Sequence, residues 1–304
     1  PQNSFFYDVG IRGKHNSYSN RINDEAKTTF NFSNLALAFR IMARLGAGIA
    51  LVPYTDVGYT LVGVKTNIEG SEESFESNVN GLGGMSDLKF NLGYGITDNL
   101  RFGASFSLLF GKIEEEESFQ VYGSALVSTE DTNYSGARVG LGLQYDLTNK
   151  ITIGSTVQLP TSLKGSVRRS VIKSLDGVEI DVEEDESDTV ADFNMPLELG
   201  VGLSTNFLKS FTLNADYKKN YWSDTGQTEN IGTYVDQDIY AVGLEFVKNA
   251  ASYKFNQRIR YRTGFNYDTG YLSINDEKIN GYNFTAGIGL PIGRGNNSML
   301  NLSY

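Results

Sequence analysis

The chain has 304 residues, a formal net charge of −10, no cysteine and a single histidine. No segment approaches the run of about 18 apolar residues that a membrane-spanning helix needs, so a helical membrane protein is excluded. The negative charge argues against nucleic acid as a partner, and the lack of cysteine excludes a disulfide framework and thiolate metal sites. Glycine (33), tyrosine (18) and phenylalanine (18) are abundant while proline (5) is scarce, a composition that favours twisted, half-buried strands.

Along the chain, apolar and polar residues alternate in stretches of about ten, as in β-strands that have two different faces. In Leu88–Ile96 and Leu100–Leu108, for example, one face is apolar and the other is polar, charged or glycine. Such stretches predict thirteen strands, at 5–13, 28–40, 46–65, 85–96, 100–112, 134–147, 150–162, 190–205, 210–221, 236–248, 253–267, 281–292 and 298–304.

The connections between these strands alternate in length, which is typical of membrane barrels with periplasmic turns and extracellular loops. Short turns are predicted at 43–45, 97–99, 147–150, 206–210, 248–252 and 293–297. Long polar loops are predicted at 14–27, 66–84, 112–132, 162–190, 220–235 and 269–281.

A soluble sandwich would show the same alternation, but three features favour the membrane. One face carries charges, the apolar faces have similar lengths, and tyrosines lie near strand ends as in an interfacial girdle. These tyrosines are Tyr145, Tyr217, Tyr240, Tyr267 and Tyr282. The sequence therefore predicts an all-β chain that forms a transmembrane antiparallel β-barrel in a bacterial outer membrane, as a single domain over residues 1–304.

The strand count is odd, whereas bacterial single-chain barrels have an even number of strands. The last predicted strand, 298–304, is also too short to span a membrane. Since an open sheet edge is unstable in lipid, we expect the end of this strand and a closing fourteenth strand to lie outside the given sequence.

Residues 192–224 resemble a segment of the FadL/TodX family of outer-membrane transporters, in which a proline-led strand, a short turn and a second strand precede an aromatic–serine pair. Residues 36–39 and 51–59 are similar to early strands of the family's Bacteroidetes-type branch. The resemblance implies a fourteen-stranded barrel with an N-terminal hatch, whose Asn-Pro-Ala element is absent from this sequence. The residues that carry the first match are Pro196, Gly200, Asp216, Trp222 and Ser223.

Members of that family pass hydrophobic molecules, such as fatty acids and aromatic hydrocarbons, and release them sideways where the third strand is kinked. Pro53, Asp56 and Gly58 lie in the long third strand predicted here and are the candidates for such an opening. Proline cannot donate a ladder hydrogen bond, and glycine often marks a bulge. The alternative is a strand that only bends.

Charged residues on the predicted inner face are candidates for a wet lumen, because charges facing lipid would cost about 2–4 kcal/mol each near the midplane. Three arginines on one strand suggest either an anion or carboxylate site or a structural ladder with Glu198, Asp216 or Glu245. The whole candidate set is Lys89, Arg101, Arg138, Glu198, Asp216, Glu245, Arg258, Arg260 and Arg262.

Other conspicuous residues point to no chemistry. The acidic segments 114–117 and 179–188 lack the spacing of a calcium loop and are expected to be solvated. Trp222, the only tryptophan, is expected to anchor the barrel at the membrane interface. With His15 as the single histidine and no nucleophile motif beside it, we expect neither an enzyme nor a metal site, and no cofactor.

Three functions remain open. The first is passive transport of hydrophobic small molecules, with sideways exit near Pro53. The second is a structural subunit of a larger outer-membrane complex, in which protein partners replace the ligand path. The third is a polar porin, for which sixteen to eighteen strands are more usual. Outer-membrane lipid and lipopolysaccharide are expected neighbours in every case.

Overall fold

The computed structural model describes residues 5–19, 24–67, 74–121, 124–175, 178–227, 232–274, 276–293 and 298–304. Its strands are β1 (Phe5–Ser19), β2 (Asp24–Arg40), β3 (Leu45–Asn67), β4 (Ser74–Gly95), β5 (Leu100–Val121), β6 (Ser124–Thr148), β7 (Ile151–Gln158), β8 (Thr161–Leu175), β9 (Val178–Met195), β10 (Glu198–Leu208), β11 (Phe211–Asn220), β12 (Thr233–Tyr234), β13 (Gln237–Val247), β14 (Arg260–Asp268), β15 (Leu272–Ile274), β16 (Glu277–Lys278), β17 (Gly281–Ile292) and β18 (Ser298–Ser303). A 3₁₀ turn covers Trp222–Thr225, and a helical turn, α1, covers Phe255–Arg258.

Thirteen strands form one antiparallel path in the order β1-β2-β3-β4-β5-β6-β7-β10-β11-β13-β14-β17-β18, in agreement with the predicted strand count. No helix in the part of the chain that the structure describes is long and apolar enough to cross a membrane.

Two prolines divide the predicted seventh and eighth strands. Pro160 separates β7 from β8, and Pro196 separates β9 from β10. Proline has no N–H to donate and therefore interrupts a ladder. Both β7 and β8 pair with β6, each over a different part of its length, while β9 pairs with β8 and β10 pairs with β7.

The prediction of long polar loops is wrong for four of the six connections. Over 14–27, 66–84, 112–132 and 162–190, the described residues belong mostly to strands that extend the sheet as hairpins. These segments were predicted as loops because their residues are polar. A strand that extends beyond the membrane needs no apolar outer face, but its backbone groups still form hydrogen bonds across the hairpin. We call this side of the molecule the hairpin end and the opposite side the turn end.

The outer surface is an apolar belt between two aromatic rows. On β4, for example, Phe90, Leu92 and Tyr94 are exposed. Towards the turn end, ring contacts of 4.9–6.3 Å connect an inner girdle, formed by Phe207, Phe211, Phe246 and Tyr261. Towards the hairpin end, residues directly opposite one another across β11, β13, β14 and β17 form an outer girdle, made of Tyr217, Tyr240, Tyr267 and Tyr282.

The buried core lies inside the rolled sheet. Met85 on β4 shares the inward face with Asp87 and Lys89, because alternate residues of a strand point the same way. Met85 packs in a cluster of buried residues with Leu109 and Trp222. The interior is therefore filled by side chains towards the hairpin end.

Candidate functional site

The wall of the barrel is divided between β2 and β3. Their ladder runs from Arg40–Gly46 to Leu35–Leu51 and ends there, although both strands continue. Beyond this point β2 pairs only with β1, and β3 only with β4. Leu51 is the last residue of β3 that pairs with β2. On its other side it lies opposite Leu88, in the outward-facing apolar row of β4, so the division begins within the apolar belt.

A β-bulge follows this division on β3. The register with β4 shifts between Pro53 and Thr55, so that Tyr54 is an extra residue, and Tyr54 lies against Arg138, Glu198 and Asp87 in the lumen. Opposite the bulge Gly84 adopts a φ of 149°, and a Cβ there would lie 2.4 Å from the Thr55 carbonyl oxygen. The two strands therefore approach too closely here for any residue except glycine.

Beyond the division, the β1–β2 hairpin lies over the outer face of β3. Arg12 and Lys14 are on the inward face of β1, and both cations approach Asp56 of β3, with N–O distances of 3.5 and 3.6 Å. Asp56 points outward, because its neighbour Thr55 is paired with the inward-facing Met85. The inward face of β1 thus meets the outward face of β3. We call the part of the β1–β2 hairpin beyond the end of the β2–β3 ladder, at 10–19 and 24–34, the flap.

Gly58 lies under this flap. A Cβ built at Gly58 would be 4.0 Å from the Thr29 methyl group of β2, which is van der Waals contact distance, so β2 of the flap packs directly over this residue. All three candidates for a lateral opening (Pro53, Asp56 and Gly58) are therefore located at the division or under the flap. Arg12, Lys14 and Tyr54 were not among the candidates. The first two could have been noticed as a pair of cations on one face of β1.

A buried ion network lies on the inner face of the wall, where β6, β7, β10 and β11 are neighbours. Arg138 donates to a Glu198 carboxylate oxygen at 2.6 Å and to the carbonyl oxygens of Pro196 and Leu159. Lys218 approaches the other Glu198 oxygen at 2.5 Å. The side chains of Arg138 and Glu198 are only 4% and 9% exposed. The network therefore links β6, β10 and β11 along the inner face of the sheet.

Three further lumen candidates, Lys89, Arg101 and Asp216, lie apart from this network. Lys89 lies 3.2 Å from Asp87, and Arg101 donates to Asp146 at 2.6 Å. Asp216 lines the cavity at the turn end.

A second charge cluster lies on β13 and β14. Glu245 accepts hydrogen bonds from Arg260 at 2.6 Å and Arg262 at 2.8 Å, which is the ladder arrangement rather than a free anion site. Arg258 does not belong to this ladder, contrary to the expectation from its spacing. It lies in α1, outside any strand, is buried, and donates to the Gly293 carbonyl oxygen. The period-two pattern failed because β14 begins only at Arg260.

The turn end of the lumen is an open cavity of about 1120 Å³. Small residues on the inward faces make this space available, since a larger side chain at each would fill it. The glycines that line the cavity are Gly46, Gly48, Gly93, Gly95, Gly103, Gly142, Gly154, Gly200 and Gly202.

The hairpin end of the lumen contains an aromatic and methionine cluster, which we call the outer plug. Trp222 is 8% exposed, stacks on Tyr271 at 5.1 Å and donates to Gln237. The prediction that Trp222 anchors the membrane interface is therefore wrong. The other members are Met85, Leu109, Tyr134, Leu163, Phe193, Met195 and Tyr234.

Polar contacts fix the connection that carries Trp222. Ser223 donates its hydroxyl to Asp236 at 2.5 Å, and its amide donates to the same oxygen. Burial alone would raise the pKa of the Asp236 carboxyl, but these hydrogen bonds and the charge of Lys219 outweigh burial and hold the pKa below its usual value. Asp236 is therefore ionised at neutral pH and fixes the 3₁₀ turn.

The acidic segments carry no evident chemistry. On β5, Glu114 and Lys112 form an ion pair and Tyr59 donates to Glu115, while the side chains of 179–187 lie outside the described part. Among the described residues, no group of three or more metal-ligating side chains is placed to hold an ion.

A membrane-spanning antiparallel sheet rolled about a polar lumen, with an apolar belt and aromatic girdles outside, defines this protein as a transmembrane β-barrel. The family model of BamG matches residues 2–304, and the chain belongs to the BamG family. A comparison with curated proteins finds no match.

Several solved barrels share the fold. The toluene transporter TodX of P. putida is 18% identical with a TM-score of 0.65, covering 98% of this chain and 81% of its own. The monoaromatic hydrocarbon channel CymD is 16% identical with a TM-score of 0.60 over 98% and 81%. A FadL homologue of Pseudomonas aeruginosa is 15% identical with a TM-score of 0.60 over 98% and 78%. Of these three, TodX is a transporter and CymD is a channel.

Proposed function

We propose that this chain is a bacterial outer-membrane channel that passes hydrophobic small molecules passively and releases them sideways into the bilayer between β2 and β3. The observation that carries this proposal is the end of the β2–β3 ladder at Leu35 and Leu51, inside the apolar belt, while both strands continue. In this arrangement the turns face the periplasm and the hairpins face outward, next to lipopolysaccharide.

The flap provides a closure that opens at little cost. A continuous ladder would have to lose several backbone hydrogen bonds in a medium that offers no replacement. Here two partly exposed ion pairs to Asp56 hold the flap against β3, and such pairs contribute only about 0–1 kcal/mol each. The driving force for release is the transfer of apolar ligand surface into lipid.

The test is the Asp56→Asn variant of the full-length protein in liposomes. Loss of both ion pairs loosens the flap, and transfer of a fluorescent fatty acid or of toluene into the bilayer is expected to become a few-fold faster, in line with about 1 kcal/mol. Asp192→Asn is the matched control, since it removes an exposed ion pair with Lys164 at the same end of the molecule. Equal rates for the two variants would contradict a flap held by Asp56.

A structural subunit of an outer-membrane complex is the second candidate. Membership of the BamG family and an outer lumen filled by packed aromatic residues favour it, because a subunit needs no ligand path. Extraction of the native protein in mild detergent, followed by mass spectrometry, separates the two functions. A stoichiometric protein set without an apolar ligand supports the subunit, and a lone barrel with a bound hydrophobic molecule supports the channel.

A further inference from the structure

The connection between β13 and β14 is unusual for its end of the barrel. It occupies residues 248–259, whereas the connections at 41–44, 96–99, 149–150 and 209–210 are much shorter. A long connection normally belongs to the opposite end of such barrels. The sequence pattern predicted a turn of ordinary length here, at 248–252.

This connection has a fixed shape. The Asn249 amide donates to the Gln257 carbonyl oxygen at 2.9 Å, and the Gln257 amide donates back to the Lys254 carbonyl oxygen at 3.1 Å. Side chains of Asn249 and Ser252 accept further backbone amides within the segment. Arg258 is 6% exposed and ties the segment to the neighbouring turn through the Gly293 carbonyl oxygen.

The ordered segment displays two aromatic side chains to solvent. Tyr253 is 100% exposed and Phe255 is 51% exposed, with Lys254 between them. Aromatic side chains dominate the binding energy of protein interfaces, and on a fixed backbone they lose little entropy on binding.

The position of these aromatics differs from that of the girdle residues that anchor a barrel in the membrane. The inner girdle ends at Phe246 on β13 and Tyr261 on β14, and residues 248–259 come between them in sequence, past the ends of both strands. The girdle marks the boundary of the apolar belt. Tyr253 and Phe255 therefore lie beyond that boundary, on the water side.

The charge around the segment is positive in a chain whose net charge is −10. Lys248 and Lys254 belong to it, and Lys209 lies on the adjoining turn, where Ser210 donates to the Lys248 carbonyl oxygen. In the described part of the chain none of these three lysines has a carboxylate within ion-pair distance. A partner that fits this surface has an apolar cleft with an acidic rim.

We propose that residues 248–259 form a docking knob for a water-soluble periplasmic protein with an acidic, apolar-centred cleft, with Tyr253 as the anchor and Lys248 and Lys254 as its charged flank. The knob is on the opposite end of the molecule from the flap, and its role does not depend on sideways release by the channel.

Site-specific photo-cross-linking in cells that make the full-length protein tests this proposal. A photoreactive amino acid in place of Tyr253 is expected to give a discrete protein adduct, whose cross-linked peptide lies among aspartate and glutamate residues. The same amino acid in place of Asp98 is the control, since Asp98 is an exposed residue on another turn at this end and is expected to give no such adduct.

A charge-reversed background completes the test. Lys248→Glu with Lys254→Glu is expected to lower the Tyr253 adduct yield by about tenfold, which corresponds to about 1.4 kcal/mol. Heat-modifiable migration on gels establishes that the barrel is folded in each variant. Three results would each overturn the proposal. They are adducts to phospholipid alone, no adduct from a folded barrel, and an adduct yield that the two charge reversals leave unchanged.

Discussion

Arg138 and Glu198 are charged residues that the lumen cannot leave unpaired. Both side chains are nearly inaccessible, and Lys218 completes the network from β11. Glu198→Gln preserves the shape of the side chain but removes the counter-charge of a buried guanidinium. Breaking a buried pair in this way costs about 3–5 kcal/mol, and urea unfolding of the reconstituted barrel is expected to show a loss of that size.

An exposed ion pair on the same molecule supplies the comparison. Asp98 and Arg44 are 2.9 Å apart, but the Asp98 side chain is 91% exposed, so Asp98→Asn is expected to leave the unfolding midpoint almost unchanged. If Glu198→Gln were as mild as Asp98→Asn, the lumen network would not stabilise the barrel.

Residue patterns predicted this part of the site unevenly. Lys89, Arg101, Arg138, Glu198 and Glu245 could be assigned an inward direction because strand alternation determines the face of each side chain. Tyr54 could not be assigned, since a bulge adds a residue and reverses the alternation. The prediction that Arg258 lies on the inward face of a strand was wrong for a related reason. Arg258 lies in α1, before the strand whose alternation it was assumed to follow.

At the scale of elements, apolar alternation predicted the spanning strands but not their extensions. Strands β3 to β6 run far past the apolar belt, where the outer face turns polar and resembles a loop in sequence. The division between β2 and β3 could be predicted only as a kink at Pro53. The observed division depends on which residues of β2 and β3 pair with each other. No local sequence pattern predicts the point at which the ladder between two strands ends.

The 3₁₀ turn at Trp222–Thr225 places one large side chain in the outer plug, and we expect this side chain to block the lumen. Trp222→Ala removes the ring that packs against Phe193, Tyr234 and Tyr271. Deleting a buried aromatic residue costs about 3–5 kcal/mol, and the vacated space joins the outer plug to the lumen below. Ion conductance in planar bilayers is therefore expected to rise while thermal stability falls.

Tyr282→Ala is the matched control for the plug, because it deletes an exposed ring from the outer girdle. It is expected to leave conductance unchanged. A Trp222→Ala barrel with the conductance of the original protein would show that the plug does not close the lumen.

At the scale of the whole molecule, the barrel combines a cavity open at the turn end, a plug at the hairpin end and a wall divided between β2 and β3. Under the proposed function, a ligand that reaches the lumen would leave for the lipid through the divided wall. The relation to the FadL/TodX transporters extends to the fold, whereas the placement in a Bacteroidetes-type branch stays a prediction.

The most direct measurement is a reversible covalent lock across the division. The sequence contains no cysteine, so Thr29→Cys with Gly58→Cys would join the flap to β3 at a site where a Cβ on residue 58 would lie 4.0 Å from the Thr29 methyl carbon. Leu37→Cys with Ile49→Cys is the control, since these residues are already opposite one another in the intact ladder. We predict that oxidation of the first pair stops transfer of a fluorescent fatty acid into the bilayer, that reduction restores it, and that the control pair has no effect. Transfer at the original rate through the oxidised lock would contradict sideways release.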